Sequence, residues 1–189
     1  MFTSDVTRYG PVFAELLREP RLPPLGPGTP NAPAHALLAE MSLERAFRHT
    51  RVADGDMARC CFAGLWLYHD FLDDSHKICQ EIETPSGSYW HALMHRREPD
   101  FSNSKYWFRR VGTHAVFEPL QIAASELAAG IDSAPGWIAE QSAWDPFAFV
   151  DWCESCINSD TPLALLCRQM AQRECLLLFD HCYDHAVSG

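Results

Sequence analysis

The chain has 189 residues, and its 25 acidic against 15 basic side chains give a formal net charge of -10. A chain of this length is expected to form one domain that buries a full core without disulfide or metal cross-links. An acidic balance does not provide the broad basic face that phosphate backbones require, so nucleic acid is excluded as the main partner.

The N-terminal run MFTSDVTRYG lacks the basic start and the unbroken apolar core of a signal peptide. No apolar run approaches the length of a membrane span, so we expect no membrane partner. These features predict a cytoplasmic protein, in which the eight cysteines stay reduced. Cys61 and Cys79 fall on the apolar side of a predicted helix and are expected to be buried.

The first predicted elements are a short helix at about 11–18 and a proline-rich segment at 20–33. Six prolines and two glycines in that segment exclude a helix or a central strand. We therefore predict an extended arm at 20–33, lying on the surface. Apolar residues near helical spacing then predict a helix at about 35–49.

The longest periodic segment, 56–82, predicts one long helix. A capping residue followed by proline predicts the start of three later helices, at Thr84-Pro85, Asp145-Pro146 and Thr161-Pro162. Further boundaries predict helices at about 103–112, 118–129 and 162–186, with a loop at 130–143. Strand-like alternation is nearly absent. The predicted fold class is all-α, a single helical domain over 1–189, as an irregular bundle built on two long helices at about 56–82 and 162–186.

A basic island interrupts this acidic chain between His91 and Arg110. Five cations stand there against two acids, Glu98 and Asp100, which gives a local charge of +3 and leaves -13 for the remainder. The cations are Arg96, Arg97, Lys105, Arg109 and Arg110. Five cations are too few for a nucleic-acid duplex but enough for one phosphate or carboxylate group, so the expected partner is an anionic small molecule.

Two predicted helices each carry histidines and a carboxylate at positions i, i+4 and i+7. The first set is His69, Asp73 and His76, and the second is His91, His95 and Glu98. Residues at this spacing stack along one helix face, and facing helices of this kind build metal or acid–base sites. We therefore assign His69, Asp73, His76, His91 and His95 as catalytic candidates.

A divalent metal is one interpretation of the same stripes. Its candidate ligands are His69, His76, His91 and His95, completed by Asp73 or Glu98. The plainer alternative is that these are core histidines hydrogen-bonded to carboxylates, since nine histidines produce some such spacings by chance. A third pair, His181 and His185, lies near the C-terminus and is a weaker candidate.

The substrate-binding candidates are Arg96, Arg97, Lys105, Tyr106 and Arg109. Arginines in the last turn of a helix can instead cap its carbonyl groups. We expect His69, His76 and His91 to share one pocket with at least one of these arginines, and neighbouring aromatic rings to wall that pocket.

Cys153 and Cys156 have the spacing of a redox pair or half of a zinc site. No preceding strand supports a thioredoxin-like unit, and two thiols on one helix face are the simpler interpretation.

The runs HDFLDDSH and SYWHALMHRREPDFSNSKYWFRRVGTH resemble a family of small soluble proteins without an assigned activity. The resemblance covers roughly residues 60–120 and implies shared structure there, but it brings no cofactor, activity or site.

Two hypotheses about function follow. The first is a soluble enzyme or small-molecule-binding protein with a histidine, aspartate and arginine pocket, in which a metal could assist. The second is a non-catalytic interaction module that uses Trp107, Phe108, Arg109 and Arg110 as a protein-binding patch. A homo-oligomer remains open under both.

Overall fold

A computed structural model describes residues 5–131 and 133–188, and these residues form eleven α-helices, one 3-10 helix and no strand. The prediction of an all-α fold is confirmed. The 3-10 helix is Val6–Tyr9, and the α-helices are α1 Pro11–Leu17, α2 Ala32–Ala39, α3 Leu43–Ala46, α4 Gly55–Tyr68, α5 Leu72–Cys79, α6 Pro85–Arg97, α7 Phe101–Val111, α8 Phe117–Ala128, α9 Trp137–Glu140, α10 Pro146–Cys156 and α11 Pro162–Val187.

The capped helix starts occur where the sequence predicts them. The side chain of Thr84 accepts from the Gly87 backbone N–H, and that of Thr161 accepts from Ala164. Asp145 accepts from two backbone N–H groups at the start of α10. These acceptors satisfy N–H groups that have no partner within the helix, which fixes where each helix begins.

The long helix predicted over 56–82 is interrupted, and the prediction of one continuous helix is wrong there. α4 ends at Tyr68 and α5 begins at Leu72. Between them Asp70 has φ 65°, a left-handed conformation that aspartate tolerates better than most residues. Its buried carboxylate lies 2.8 Å from Arg21 Nη2 and 2.5 Å from Arg97 Nη2, and these two partners hold the break.

Shorter helices replace two other predicted elements. The predicted 35–49 helix is divided into α2 and α3, and the predicted loop at 130–143 contains the single turn α9. The second long helix is present as Pro162–Val187, close to the predicted 162–186.

The described residues 20–31 carry no helix or strand, whereas Pro33 belongs to the first turn of α2. The arm is therefore shorter than the predicted 20–33. It is held by side chains from the bundle, among them Arg168, whose Nε donates to the Pro23 carbonyl at 3.0 Å. Leu25 is buried, so the arm is docked into the fold rather than only lying over it.

Helix α6 lies at the centre of the molecule. It packs against α4, α5 and α7, and Tyr89 and Arg96 reach Glu174 of α11. Every residue from Ser86 to Arg97 is buried. Gly64 allows α4 to approach this closely, because a Cβ at that position would stand 2.6 Å from the Trp90 ring. The polar residues of α6 are thus forced into the interior.

None of the described helices is both long enough and apolar enough to cross a membrane. All eight cysteines lie within the described part of the chain and are free thiols. Cys61 is 0% and Cys79 1% exposed, which confirms that both are buried.

Candidate functional site

Helix α6 brings two histidines and two arginines into the core: His91, His95, Arg96 and Arg97. A buried polar group costs free energy unless it is hydrogen-bonded. Three of the four have partners, whereas His91 has none among residues 5–131 and 133–188. Trp90 of α6 also has a buried Nε1 without a partner among these residues, but His91 is the one residue of the two with a lone pair to offer a ligand.

The histidine cluster, as we call His76, His91 and His95, brings three imidazole rings together. One ring nitrogen from each lies within 4.8 Å of those of the other two. Ring centroids are 4.7 Å apart for His76 and His91 and for His91 and His95, and 5.1 Å for His76 and His95. Over the described ranges, no other three His, Cys, Asp or Glu side chains come close enough to share an ion.

The geometry follows from the helices. His91 and His95 are one turn apart on α6, so their rings stack at 18°, and α5 packs alongside and contributes His76. His76 is half-buried, whereas His91 and His95 are buried, so the α5 side of the cluster is the one nearest the surface.

His91 is 3% exposed, and both of its ring nitrogens are buried and unpaired within the part of the chain that the structure describes. The Trp107 ring covers it from α7, with centroids 3.9 Å apart. Burial, together with the nearby His95 and His76, lowers the pKa of His91 to about 3. The imidazole is neutral at physiological pH, and a neutral imidazole presents a lone pair that a metal ion can take.

His95 is bound from two sides. Its Nδ1 lies 3.0 Å from Glu98 Oε2, and Asn103 Nδ2 donates to its Nε2 at 3.1 Å. Burial lowers the pKa of His95, although the Glu98 carboxylate acts in the opposite direction. Because a carboxylate only accepts hydrogen bonds, Nδ1 carries the proton and Nε2 keeps the lone pair.

This set of ligands suits a transition metal such as zinc, for which imidazole is a common ligand. Ring nitrogens that surround zinc at 2.0–2.1 Å in a tetrahedron stand about 3.4 Å apart. The three rings would have to close inward from a separation of up to 4.8 Å to hold such an ion. Three protein ligands leave one tetrahedral position open, as in catalytic rather than structural zinc sites.

His69 does not join the cluster, and the expectation that it shares a pocket with His76 is wrong. Its Nε2 donates to the Leu16 carbonyl at 3.0 Å, and Asn31 Nδ2 donates to its Nδ1 at 2.9 Å. It lines a separate cleft of about 350 Å³ beside α1 and α2. The interruption at Asp70 is the cause, because it removes the helical register that would have aligned His69 with His76.

Asp73 is exposed on α5, one turn before His76. With Glu98 it lines a shallow cleft of about 380 Å³ next to the arm. No ligand role for Asp73 follows from its position.

Arg96 and Arg97 are bound inside the protein, so the expectation of a common pocket with the arginines is wrong for both. Arg96 pairs with Glu174 at 2.5 Å, and Glu174 also accepts from the Tyr89 hydroxyl at 2.9 Å. Arg97 pairs with Asp70 and donates from its Nε to the Gly26 carbonyl at 2.7 Å. Both guanidinium groups hold helices and the arm together.

The remaining substrate-binding candidates lie on another face of α7. Lys105 and Arg109 line an open cleft of about 530 Å³ with Glu154 of α10, and Lys105 pairs with Asp151. Tyr106 is 49% exposed. Asn103 and Trp107 occupy the α7 face that turns to the histidine cluster, so these cations do not share its site.

Phe108 does not belong to the surface of the predicted protein-binding patch. Phe108 is 1% exposed and belongs to the core, and Trp107 is half-buried against His91. Arg109 and Arg110 are exposed, and the Arg110 guanidinium lies 5.2 Å from the Trp107 ring centroid. Two of the four residues are thus occupied within the fold.

The cysteines offer a different pairing from the one that their spacing suggests. Cys153 meets Cys167 of α11, with sulfurs 3.5 Å apart, rather than Cys156. Burial raises the pKa of Cys79 to about 12 and that of Cys175 to about 12, so these thiols stay protonated and are poor ligands.

The last histidine pair also has internal partners. His181 lies 4.7 Å from His114 and 4.1 Å from His185, measured between ring centroids. His114 accepts from the Val116 N–H and faces the Ser86 hydroxyl at 3.1 Å, so both of its nitrogens are used. These rings do not form a three-ligand group.

Sequence reasoning overlooked Asn103, which had no signal beyond its position on a predicted helix. It also gave Trp107 a role at the surface instead of over His91. No family model, no curated protein and no solved structure matches the chain. The geometry of the histidine cluster therefore carries the functional argument alone.

Proposed function

We propose that this protein binds a divalent transition-metal ion, zinc foremost, through His76, His91 and His95, and uses it as a Lewis acid in a hydrolytic reaction. The observation that carries the proposal is His91. Its two ring nitrogens are buried near two other imidazoles and have no hydrogen-bond partner among the described residues, and an ion there would satisfy one of them.

The ligand set favours catalysis over a purely structural role. Three neutral imidazoles leave the ion its full charge of 2+, and the fourth position is free for water. An ion bound in this way lowers the pKa of its water to about 7, which supplies a hydroxide nucleophile near neutral pH. His76 is half-buried, so the ion would stand at the edge of the core, where a substrate can reach it.

The basic island predicts an anionic ligand. This proposal keeps that ligand but changes the group that would bind it. Arg96 and Arg97 are engaged in ion pairs, so they are not available to hold a phosphate or carboxylate. The ion itself would attract such a group to its open position, because it is the strongest local positive charge.

The direct test is metal binding by the purified chain. We expect one zinc ion per chain by elemental analysis after dialysis, and a cobalt-substituted form with the intense visible absorption of a tetrahedral site. The His91→Ala variant should lose both. The His181→Ala variant is the control, because it removes a half-buried histidine of a different i, i+4 pair and should keep both.

Equal zinc content in the wild type and in the His91→Ala variant would contradict the proposal. So would a cobalt spectrum that the His91→Ala change leaves unaltered.

A further inference from the structure

The residue next to the histidine cluster with the most direct connection to it is Glu98, at the C-cap of α6. Its Oε2 lies 3.0 Å from His95 Nδ1, and its side chain is 34% exposed against 7% for His95. The carboxylate thus reaches from the surface to a buried ring. No other hydrogen bond of the Glu98 side chain occurs in the described part of the chain.

The contact determines which nitrogen of His95 can bind an ion. A free imidazole exchanges between two tautomers, and only the one protonated at Nδ1 can donate to a carboxylate. Glu98 therefore selects the tautomer with its lone pair on Nε2. The same contact restrains the rotation of the ring, which is already stacked on His91.

The structure assigns Glu98 as a positioning residue of the proposed metal centre, one that holds His95 in its Nε2-ligating tautomer and orientation. This inference rests on the proposed function. It goes further in making the affinity for the ion depend on a residue that does not touch the ion. Carboxylates that orient a metal-bound histidine in this way typically contribute 10–100-fold to metal affinity.

The contact between Asn103 and His95 leads to a second expectation. The Asn103 amide nitrogen lies 3.1 Å from His95 Nε2 and 3.4 Å from Nδ1, and with the proton on Nδ1 it donates to Nε2, the atom that would bind the ion. Binding therefore has to displace this amide, and the tautomer set by Glu98 keeps the vacated lone pair on Nε2. Asn103→Ala should leave zinc affinity unchanged or raise it, whereas a change at Glu98 should lower it.

The experiment compares zinc dissociation constants, measured against a chromophoric chelator, for the wild type, Glu98→Ala, Glu98→Gln and Asp74→Asn. We expect Glu98→Ala to weaken zinc binding by about 10–100-fold. Glu98→Gln keeps an accepting oxygen but loses the charge, so its effect should be smaller. Asp74 is a matched control, because it lines the same cleft but pairs with Lys77 at the surface.

A spectroscopic readout separates positioning from a general loss of structure. The nitrogen chemical shifts of the His95 ring in the metal-free protein report which ring nitrogen carries the proton. We expect the Nδ1-protonated tautomer in the wild type and in Asp74→Asn, and a mixture of the two tautomers in Glu98→Ala. A merely structural change would lower zinc affinity without changing the tautomer.

The outcomes distinguish the two proposals. If His91→Ala binds zinc as the wild type does, the metal site itself fails. If His91→Ala abolishes binding while Glu98→Ala resembles Asp74→Asn, the metal site stands and the role of Glu98 is overturned. Weakening by Glu98→Gln as large as that by Glu98→Ala would also overturn it, since the effect would then follow the lost charge rather than the accepting oxygen.

Discussion

The indole ring of Trp107 stacks on the imidazole of His91, with centroids 3.9 Å apart and planes inclined by 23°. The contact ties α7 to the buried helix α6 at the residue whose nitrogens lack partners. It also places a fluorescent ring directly against the proposed metal position.

Trp107 should therefore report metal binding. Copper(II) or nickel(II) bound at the histidine cluster is expected to quench its fluorescence, because a paramagnetic ion close to the ring shortens its excited state. A fluorescence titration of the wild type should show saturable quenching that Trp107→Phe largely removes. Trp137→Phe should retain it, since Trp137 packs edge-on against Trp144 and Trp152 instead. Quenching that persists undiminished in Trp107→Phe would place the ion elsewhere.

The stability of the metal-free protein should fall as the pH falls from about 6.5 towards 3. The pKa of His91 is about 3 in the folded chain, below the ordinary 6.5, so the unfolded state binds the proton first. Stability thus increases with pH across this window, by up to about 1.4 kcal/mol per pH unit for each such histidine. Urea unfolding with chelator present should show a shallower pH dependence for His91→Gln by up to that amount. An unchanged slope would contradict the buried, neutral state of His91.

Removal of the Asp70 carboxylate should destabilise the fold strongly. Asp70→Ala leaves the buried Arg97 guanidinium without its charged partner and frees Arg21. Breaking a buried ion pair from one side costs about 3–5 kcal/mol. Denaturant titration should show a loss of this size, whereas Asp74→Ala breaks only an exposed pair with Lys77 and should cost less than about 1 kcal/mol. Similar losses in the two variants would contradict the account of the break between α4 and α5.

Close approach of α4 to α6 should make Gly64 intolerant of even one methyl group. A Cβ there would stand 2.6 Å from the Trp90 ring, and both residues are in the core. We expect Gly64→Ala to destabilise by about 1–3 kcal/mol through overpacking. Gly55→Ala, in the first turn of the same helix, meets nothing within 4 Å and should be neutral or slightly stabilising. Thermal unfolding of the two variants provides the comparison, and a neutral Gly64→Ala would mean that Trp90 can move aside.

Local chemistry made much of the fold predictable. Thr84, Asp145 and Thr161 act through backbone N–H groups two or three residues away, so the sequence alone locates these helix starts. The i, i+4 relation of His91 and His95 is equally local. The helix caps and the spacing of the two histidines both follow from helix geometry over a few residues, so both can be recognised in the sequence.

Contacts between residues far apart in sequence determine the features that the sequence pattern does not predict. Asp70 breaks the predicted helix because Arg21 and Arg97, far apart in sequence, both bind it. Arg96 does not line the expected pocket because it pairs with Glu174, 78 residues away. The apolar spacing of 56–82 continues through the break and carries no sign of it. Ion pairs between distant residues therefore determine which histidines lie close together, and no local sequence pattern predicts these pairs.

The arm at residues 20–31 is held in place by hydrogen bonds to its main-chain carbonyl groups. Arg97, Arg168 and Gln172 all donate to its carbonyl oxygens, five bonds in total. A carbonyl is present at every residue, and prolines supply no N–H that would need a partner. These bonds therefore impose almost no choice on the side chains of the arm. Arm positions whose side chains make no contact of their own can therefore change in evolution while the path of the chain is kept, whereas Arg21, Leu25 and Asn31 are constrained by their own side-chain contacts.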